Sequence, residues 1–548
     1  MGTTPARTLL TRRHTMRPTV LRAATAAAAL SALIAPARVH AQDAPPTPPR
    51  YLGAPYNAPI AVRTGPGRVF RANIVARDGL LRAAPGDTPR VMPTVTYNGH
   101  INADVLRMNP GDSVDIVVRN ALRPDSANSS FVAWTNFHYH GFNVSPMPPA
   151  DNVTFIQIGR DSSFHYQFGL PQNISPGLYW YHPHPHGISQ MQVQRGMSGP
   201  ISVGDVLAKV GYPSDIPERF MMLRDFSYLD AAQGFNNCWG PNQPYPLMNG
   251  QPLTHLTMTA GEKQFWRIAN VGSDRVYNLK VRSIHGRRLP FRVIARDGNA
   301  VAEQYVTDSI FSVPGNRWEV MVTAPAAGDT LELYSEAVLR NPANTVTNTP
   351  ECIMPRVTFG WITVGPRPLR AGRVVALSTQ GSREQADTIQ FLRNAVTVHR
   401  DTLNFTQNPD SFFINNITYN PNRIDKTIAI GEVQEWDLNN NSDDQHAFHI
   451  HQGDFLVVAE RDSGSTAWHP VFRKERLDTV YLPRGGGVRV RFVYTDPRLA
   501  GLFVYHCHML FHEDRGMMQN LCLYDPAKGP ASGQCANPFG SGGGHMMH

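Results

Sequence analysis

The chemistry of this sequence is concentrated in its histidines. The chain carries 21 of them among 548 residues, and eleven fall in four short stretches. These are "FHYHG" with His138 and His140, "YHPHPHG" with His182, His184 and His186, "HAFHIH" with His446, His449 and His451, and "HCHMLFH" with His506, His508 and His512. Each stretch holds a His-x-His pair. On a β-strand, residues i and i+2 share one face about 7 Å apart. Such a pair presents two imidazoles that converge on one metal ion or grip two neighbouring ions. The pairs 138/140, 182/184, 449/451 and 506/508 offer eight imidazoles, more than the four ligands of one zinc ion. They suit several imidazole-loving ions, and copper stands high in the divalent affinity order.

The last stretch adds a thiolate. Cys507 sits between His506 and His508 on the apolar run "LFVYHCH". On a strand the two histidines point one way and the sulfur the other. Cys507 with His446, His512 and a weak axial Met517 makes the His2Cys set of a blue-copper electron-transfer site. Three consecutive residues then bridge two metal centres, and an electron arriving at the thiolate has a short covalent path to the histidine cluster.

The elements that position these residues show as a threefold repeat. "YNG" (Tyr97–Gly99) precedes "PGDSVDIVVRN", "MNG" (Met248–Gly250) precedes "AGEKQFWRIAN", and "INN" (Ile414–Asn416) precedes "IGEVQEWDLNN". In each copy a Gly-acid turn is followed, nine residues after its glycine, by an asparagine: 111 to 120, 261 to 270 and 431 to 440. The alternating apolar residues between them read as turn, half-buried strand, turn. A period of 150–170 residues is that of a domain. The expectation is three all-β domains over 42–205, 212–366 and 385–528, with polar or Pro-rich linkers near 206–217 and 364–387. Residues 529–548, ending in a Gly-rich "FGSGGGHMMH", read as a flexible tail. The second domain holds only isolated histidines such as His255 and His285. The cluster is therefore expected between domains 1 and 3, with domain 2 as a spacer.

The four stretches, in this order, resemble the copper signatures of the multicopper oxidases, the laccase-like and bacterial copper-efflux-type enzymes. The likeness spans essentially the mature chain, and "HCHMLFHEDRGM" is its most specific part. The resemblance implies three consecutive cupredoxin-like Greek-key β-sandwiches holding four copper ions. It implies type 1 copper on His446, Cys507, His512 and Met517, and type 2 copper on His138 and His449. The type 3 pair falls to His140, His182, His184, His451, His506 and His508. The family's aromatic-then-pair pattern favours 182/184 over 184/186, and its five-residue offset from His512 favours Met517 over Met518. Relatives use a glutamate at the position of Glu513 as a proton donor and an acid near type 2 copper, which Asp151 resembles. Asp443 and Asp444, ahead of His446, read as solvent-exposed surface, with the orienting of a substrate amine or phenol as the alternative.

The implied reaction is one-electron oxidation of phenols or aromatic amines coupled to four-electron reduction of O2 to water. An axial methionine should moderate the type 1 potential and favour easily oxidised donors. The alternatives are a cuprous oxidase for copper tolerance, which would more often carry a Met-rich insertion that this chain lacks, and a copper-binding or scaffold protein without turnover.

Residues 1–41 read as an export signal: Arg17 and Arg22, an apolar run from Ala23 to Ile34, and a "VHA" cleavage site. Arg12 and Arg13 leave twin-arginine export open beside an ordinary secretory signal. The six arginines of this stretch, with no acid, account for six units of the formal net charge of +8. The remaining +2 gives no reason to expect nucleic acid or an anionic membrane as partner. An exported monomer, periplasmic or secreted, that meets a small-molecule reductant and O2 is the expectation. Of five cysteines, Cys507 is the natural odd one out. The other four read by proximity as Cys522–Cys535 and Cys238–Cys352.

Overall fold

The threefold sequence motif is a threefold piece of hydrogen bonding. The computed structural model describes residues 45–83, 90–101, 103–123, 134–226, 245–341, 352–367, 378–396, 399–529, 533–537 and 546–547. The Gly-acid turns open the strands Ser113–Ala121, Lys263–Asn270 and Gln434–Asn440. Their glycines take φ of 78°, 73° and 90°, a conformation that costs a residue with Cβ. The acid of each turn accepts the backbone N–H three residues earlier: Asp112 from Asn109 (2.6 Å), Glu262 from Thr259 (2.7 Å), Glu432 from Ala429 (3.2 Å). The terminal asparagines accept the N–H groups of Leu122, Gly272 and Ser442. They donate in turn to the carbonyls of Ile158, Ser312 and Leu482. The earlier Asn98, Asn249 and Asn415 accept the N–H of Val75, Met222 and Asn404 on neighbouring strands.

Each motif strand also pairs in parallel with an earlier strand of its own domain: Val69–Ala83, Glu218–Phe226 and His399–Gln407 respectively. The sheets pair up as four and five strands in domain 1, six and seven in domain 2, and six and five in domain 3. Alternation along the strands sends one face inward. Val114, Ile116 and Val118 enter one core with Tyr139 and Tyr166. Trp266 and Ile268 enter the second, and Trp436 and Leu438 the third, together with Cys507 and Met517. Each such buried side chain contributes about 1.5–3 kcal/mol.

Several segments depart from the sequence reading. Ala54–Pro55 adds a parallel strand to domain 2 at Thr254–Thr259, although its sequence position puts it in domain 1. The first linker is packed, not loose: Val206–Lys209 is helical and buries Val206 and Leu207 against Phe265 and Met321. The second contains the helix Arg383–Asn394, whose Ser382 cap accepts the N–H of Gln385 and whose Ile389 and Leu392 pack on Leu456. "Ser-x-x-Gln" at 382–385 is the capping-box signal for it. The expected flexible tail is tied at two points. Cys535 is bonded to Cys522, and Met546–Met547 pairs in parallel along Gln157–Gly159, whose strand offers an open edge. Cys352 is disulfide-bonded, while Cys238 lies outside the described residues, as do residues 1–41. Among the described residues no helix is long and apolar enough to cross a membrane.

Candidate copper centres

Two strand pairs carry the histidines. His138–His140 runs antiparallel to Gly177–His182, with His138 opposite His182. His446–Ile450 runs antiparallel to Gly501–Cys507, with His449 opposite His506 and Phe448 opposite Cys507. The pairs come from domains 1 and 3 and meet face to face. The rings of His138 and His451 stack at 4.1 Å between centroids, and those of His140 and His449 at 4.0 Å. The eight imidazoles of His138, His140, His182, His184, His449, His451, His506 and His508 are all buried. Their donor atoms fall into three groups: 138/140/449, 140/182/508 and 184/451/506. His186 stands outside these groups, its ring against Tyr419 at 4.7 Å.

The partners of these rings decide which nitrogen of each carries the proton and which is free for a metal. His506 Nδ1 faces Glu513 at 2.9 Å and His184 Nδ1 faces Glu513 at 3.5 Å. A neutral imidazole has one N–H, and these acceptors draw it to Nδ1. Yet Nε2 of His506 lies 3.2 Å from Nε2 of His184 and 3.3 Å from Nε2 of His451. The His184 and His506 lone pairs aimed at each other repel unless a cation sits between them, whereas His451, whose Nδ1 has no acceptor, can donate from Nε2 to His506. His182 and His449 donate through Nδ1 to the carbonyls of Pro183 and Asp478, His138 Nδ1 is held by Asp151 at 3.0 Å, and the Nε2 of all three has no hydrogen-bond partner. His140 is turned the other way: Nε2 meets Asp478 at 3.3 Å and Nδ1 points at His508 Nε2, 3.2 Å away. Burial, reinforced by neighbouring imidazoles, holds His138, His140, His449, His451 and His508 well below the usual range. It lowers His182 to about 3 and His184 to about 4. They stay neutral, as metal ligands must.

The opposite face of Gly501–Cys507 holds the fourth group. Cys507 Sγ is 3.6 Å from Nδ1 of both His446 and His512, and those two nitrogens are 3.0 Å apart. A point equidistant from the three atoms lies about 2 Å from each, a normal metal–nitrogen bond length. Met517 is buried in the same core and its carbonyl accepts the Cys507 N–H at 3.0 Å. Met518 packs elsewhere, with Val153 and Val504. Burial pushes the Cys507 thiol up to about 12, so a bound cation must displace its proton. The donor set and its unmatched lone pairs fit copper on both faces of the strand.

Glu513 and Asp151 both touch ligands. Glu513 lies in the helical turn Leu510–Glu513. Burial opposes its charge, but His184 and His506 outweigh that and hold its carboxyl well below the usual range. Asp151 accepts the Tyr139 N–H and the Gln452 amide besides facing His138. Burial pushes its carboxyl up to about 8 against those bonds.

Sequence reasoning missed three features. Asp478 is fully buried, accepts both ends of the Arg317 guanidinium at 2.7 and 2.6 Å and faces His140. Gly315, at φ +92°, lies so close to the cluster that an added Cβ would meet His508, Thr479 and His140 within 3.1–3.3 Å. Both Arg317 and Gly315 belong to domain 2, so that domain is more than a spacer, although it contributes no member of the four groups. The third feature is Asp444, which the sequence reading placed with Asp443 on the surface. Asp443 is exposed, with Arg484 at 3.8 Å. Asp444 is instead buried against Arg340, because the strand Val338–Asn341 of domain 2 covers it.

Sandwich domains with a buried thiolate site backed by an eight-imidazole cluster define a metal-dependent redox protein. Family models described as multicopper oxidase match residues 84–206, 219–348 and 393–525. The multicopper oxidase mco of Staphylococcus haemolyticus is 24% identical over 438 residues, covering 78% of this chain and 83% of its own. Laccase-5 of Trametes versicolor is 26% identical over 491 residues, covering 81% and 86%. The solved multicopper oxidase of Campylobacter jejuni, described as a metallo-oxidase, superposes with a TM-score of 0.66 at 22% identity, covering 88% of this chain and 99% of its own. The chain belongs to the multicopper oxidase family: a copper-dependent oxidoreductase that uses O2 as acceptor.

Proposed function

We propose that the protein is a laccase-like oxidase taking single electrons from phenols or aromatic amines and reducing O2 to water. The observation that carries this reading is the strand Gly501–Cys507, which offers a thiolate to one three-donor group while the flanking His506 and His508 serve the other cluster. Copper, when bound, would supply four one-electron stores, so that O2 need not leave half-reduced. His446, Cys507, His512 and Met517 would hold the type 1 ion, and His138 and His449 the type 2 ion. The type 3 pair would be held by His140, His182, His184, His451, His506 and His508. Glu513 contacts His184 and His506, and Asp151 contacts His138. Asp151, its carboxyl raised by burial, is placed to hold a proton as water forms, and Glu513, kept ionised, to accept one and pass it on.

The buried Met517, the lack of a Met-rich insertion and the likeness to a protein named laccase support organic donors over cuprous ion. The relative described as a metallo-oxidase keeps cuprous ion as the second reading. The N-terminal pattern and the Cys522–Cys535 disulfide support export, to the periplasm or beyond. The proposed protein acts as a monomer on small molecules, without nucleic acid or membrane. Oxygen uptake by copper-loaded protein, with a phenol and with Cu(I) side by side, tests the reading. Faster uptake with the phenol is expected, faster uptake with Cu(I) selects the second reading, and no uptake with either leaves a copper-binding protein. Cys507→Ser should abolish the blue thiolate-to-copper band, and a surviving band refutes the Cys507 assignment.

A further inference from the structure

We propose that the Arg340–Asp444 ion pair is a positioning device, supplied across a domain boundary, that sets the electron affinity of the copper held by His512. The inference rests on the reading that His446, Cys507, His512 and Met517 hold that copper.

Among the described residues the strand Val338–Asn341 pairs only with Cys352–Met354, forming a two-stranded ribbon of domain 2 separate from its two large sheets. The ribbon lies against the loop ahead of His446, where the Gln445 amide donates to the Leu339 carbonyl at 2.5 Å. Arg340 then grips Asp444 with two parallel bonds, Nε to Oδ1 at 3.0 Å and Nη2 to Oδ2 at 2.8 Å. Both residues are nine-tenths buried or more. The carboxylate cannot swing away: Oδ1 also accepts the N–H of Gln445 at 2.8 Å, and Asn440 holds the Asp444 carbonyl at 2.8 Å.

Oδ2 faces Nε2 of His512 at 3.5 Å. The other nitrogen of that ring is the one aimed at Cys507 and His446. The Phe412 ring lies flat on the imidazole at 4.0 Å. His512 is therefore confined by an aromatic face and by a carboxylate behind its N–H. A carboxylate there strengthens the ring as a donor and favours the more highly charged state of a bound ion. The guanidinium, one layer further out, offsets part of that field. The two charges act with opposite sign, and the nearer one, Asp444, dominates.

That sign pattern is the test. In full-length, copper-loaded protein the potential is read by redox titration of the blue band, with copper counted in each sample. Asp444→Asn leaves the cation alone and should raise the potential. Arg340→Met leaves the carboxylate alone and should lower it. The double variant, with no charge left buried, should lie above wild type and below Asp444→Asn, and it carries the test if either single variant fails to fold. Arg340→Lys should stay nearer wild type than Arg340→Met does. Single variants that shift the same way, or a double variant that does not rise, overturn the proposal, since simple loosening of the site would not split by sign. A wild-type protein with no blue band overturns the copper assignment itself, which separates the two failures.

Discussion

Replacing Asp478 by Asn separates the proposed type 2 and type 3 ligands by one atom group. The carboxylate neutralises Arg317, and both side chains are fully buried. After the change the guanidinium keeps Asp297, 3.8 Å away, and its bonds to the carbonyls of Leu178 and Gly315. Removing one partner of a buried pair costs about 3–5 kcal/mol, and the remaining carboxylate places this case near 3 kcal/mol. The more telling effect is on the ligands. His449 is held by the backbone carbonyl of residue 478 at 2.8 Å and by Thr479 Oγ1 at 3.2 Å, both of which survive. His140 is held by the carboxylate itself. Losing such an outer contact weakens metal binding about 10–100-fold. Copper should therefore leave the His140/His182/His508 group first as chelator is raised. Loss of the type 3 absorption should precede loss of the type 2 paramagnetic signal, while the blue band persists. Retention of all copper at wild-type chelator concentrations, or earlier loss of the type 2 signal, refutes the reasoning.

Gly315→Ala places a left-handed residue with Cβ against His508 and His140; the backbone alone costs about 1–2 kcal/mol. Copper counting should show the cluster depleted while the blue band is kept. Met517→Leu removes the weak axial donor and should raise the type 1 potential in a redox titration; an unchanged or lower value argues against Met517 as ligand. Removing the Cys522–Cys535 bridge, which spans 13 positions, frees a loop worth about 3 kcal/mol in chain entropy. Its loss should lower the apparent melting temperature at a fixed scan rate without bleaching the blue band.

Much of the site is legible because strand geometry is local. A His-x-His spacing places two rings on one face whatever surrounds it, and Cys507 between two histidines must point away from them. The threefold turn motif is legible for a related reason: the glycine with positive φ, the acid bonding back three residues and the closing asparagine all act within about ten residues. What depends on facing strands is not legible. Arg317 and Asp478 are 161 residues apart, and Arg340 and Asp444 are 104. In sequence, Asp443 and Asp444 are equivalent neighbours ahead of a ligand. Only the ribbon of domain 2 makes one a surface acid and the other a buried ion-pair partner.

The acids show where the boundary falls. Each neutral imidazole that turns one nitrogen to a metal must find an acceptor for the other, or leave a buried N–H unsatisfied. That demand follows from the histidines alone. For six of the eight cluster histidines it is met by whatever the fold brings near: Asp151 for His138, Asp478 for His140, a carbonyl for His182 and His449, and Glu513 for His184 and His506; Nδ1 of His451 and of His508 has no such partner. Glu513 and Asp151 can be picked from the sequence because they lie close along the chain to ligands they touch. Asp478 lies 27 residues beyond His451 and serves His140, a ligand of another domain. Proximity in sequence therefore finds the acids that share a strand or turn with a ligand and misses those that join domains. The missed ones, Asp478 with Arg317 and Asp444 with Arg340, are the ion pairs by which domain 2 reaches the copper centres, beside Gly315 at the histidine cluster. Domain 2, none of whose described residues joins the four donor groups, thus holds the acid that faces one histidine at each proposed centre.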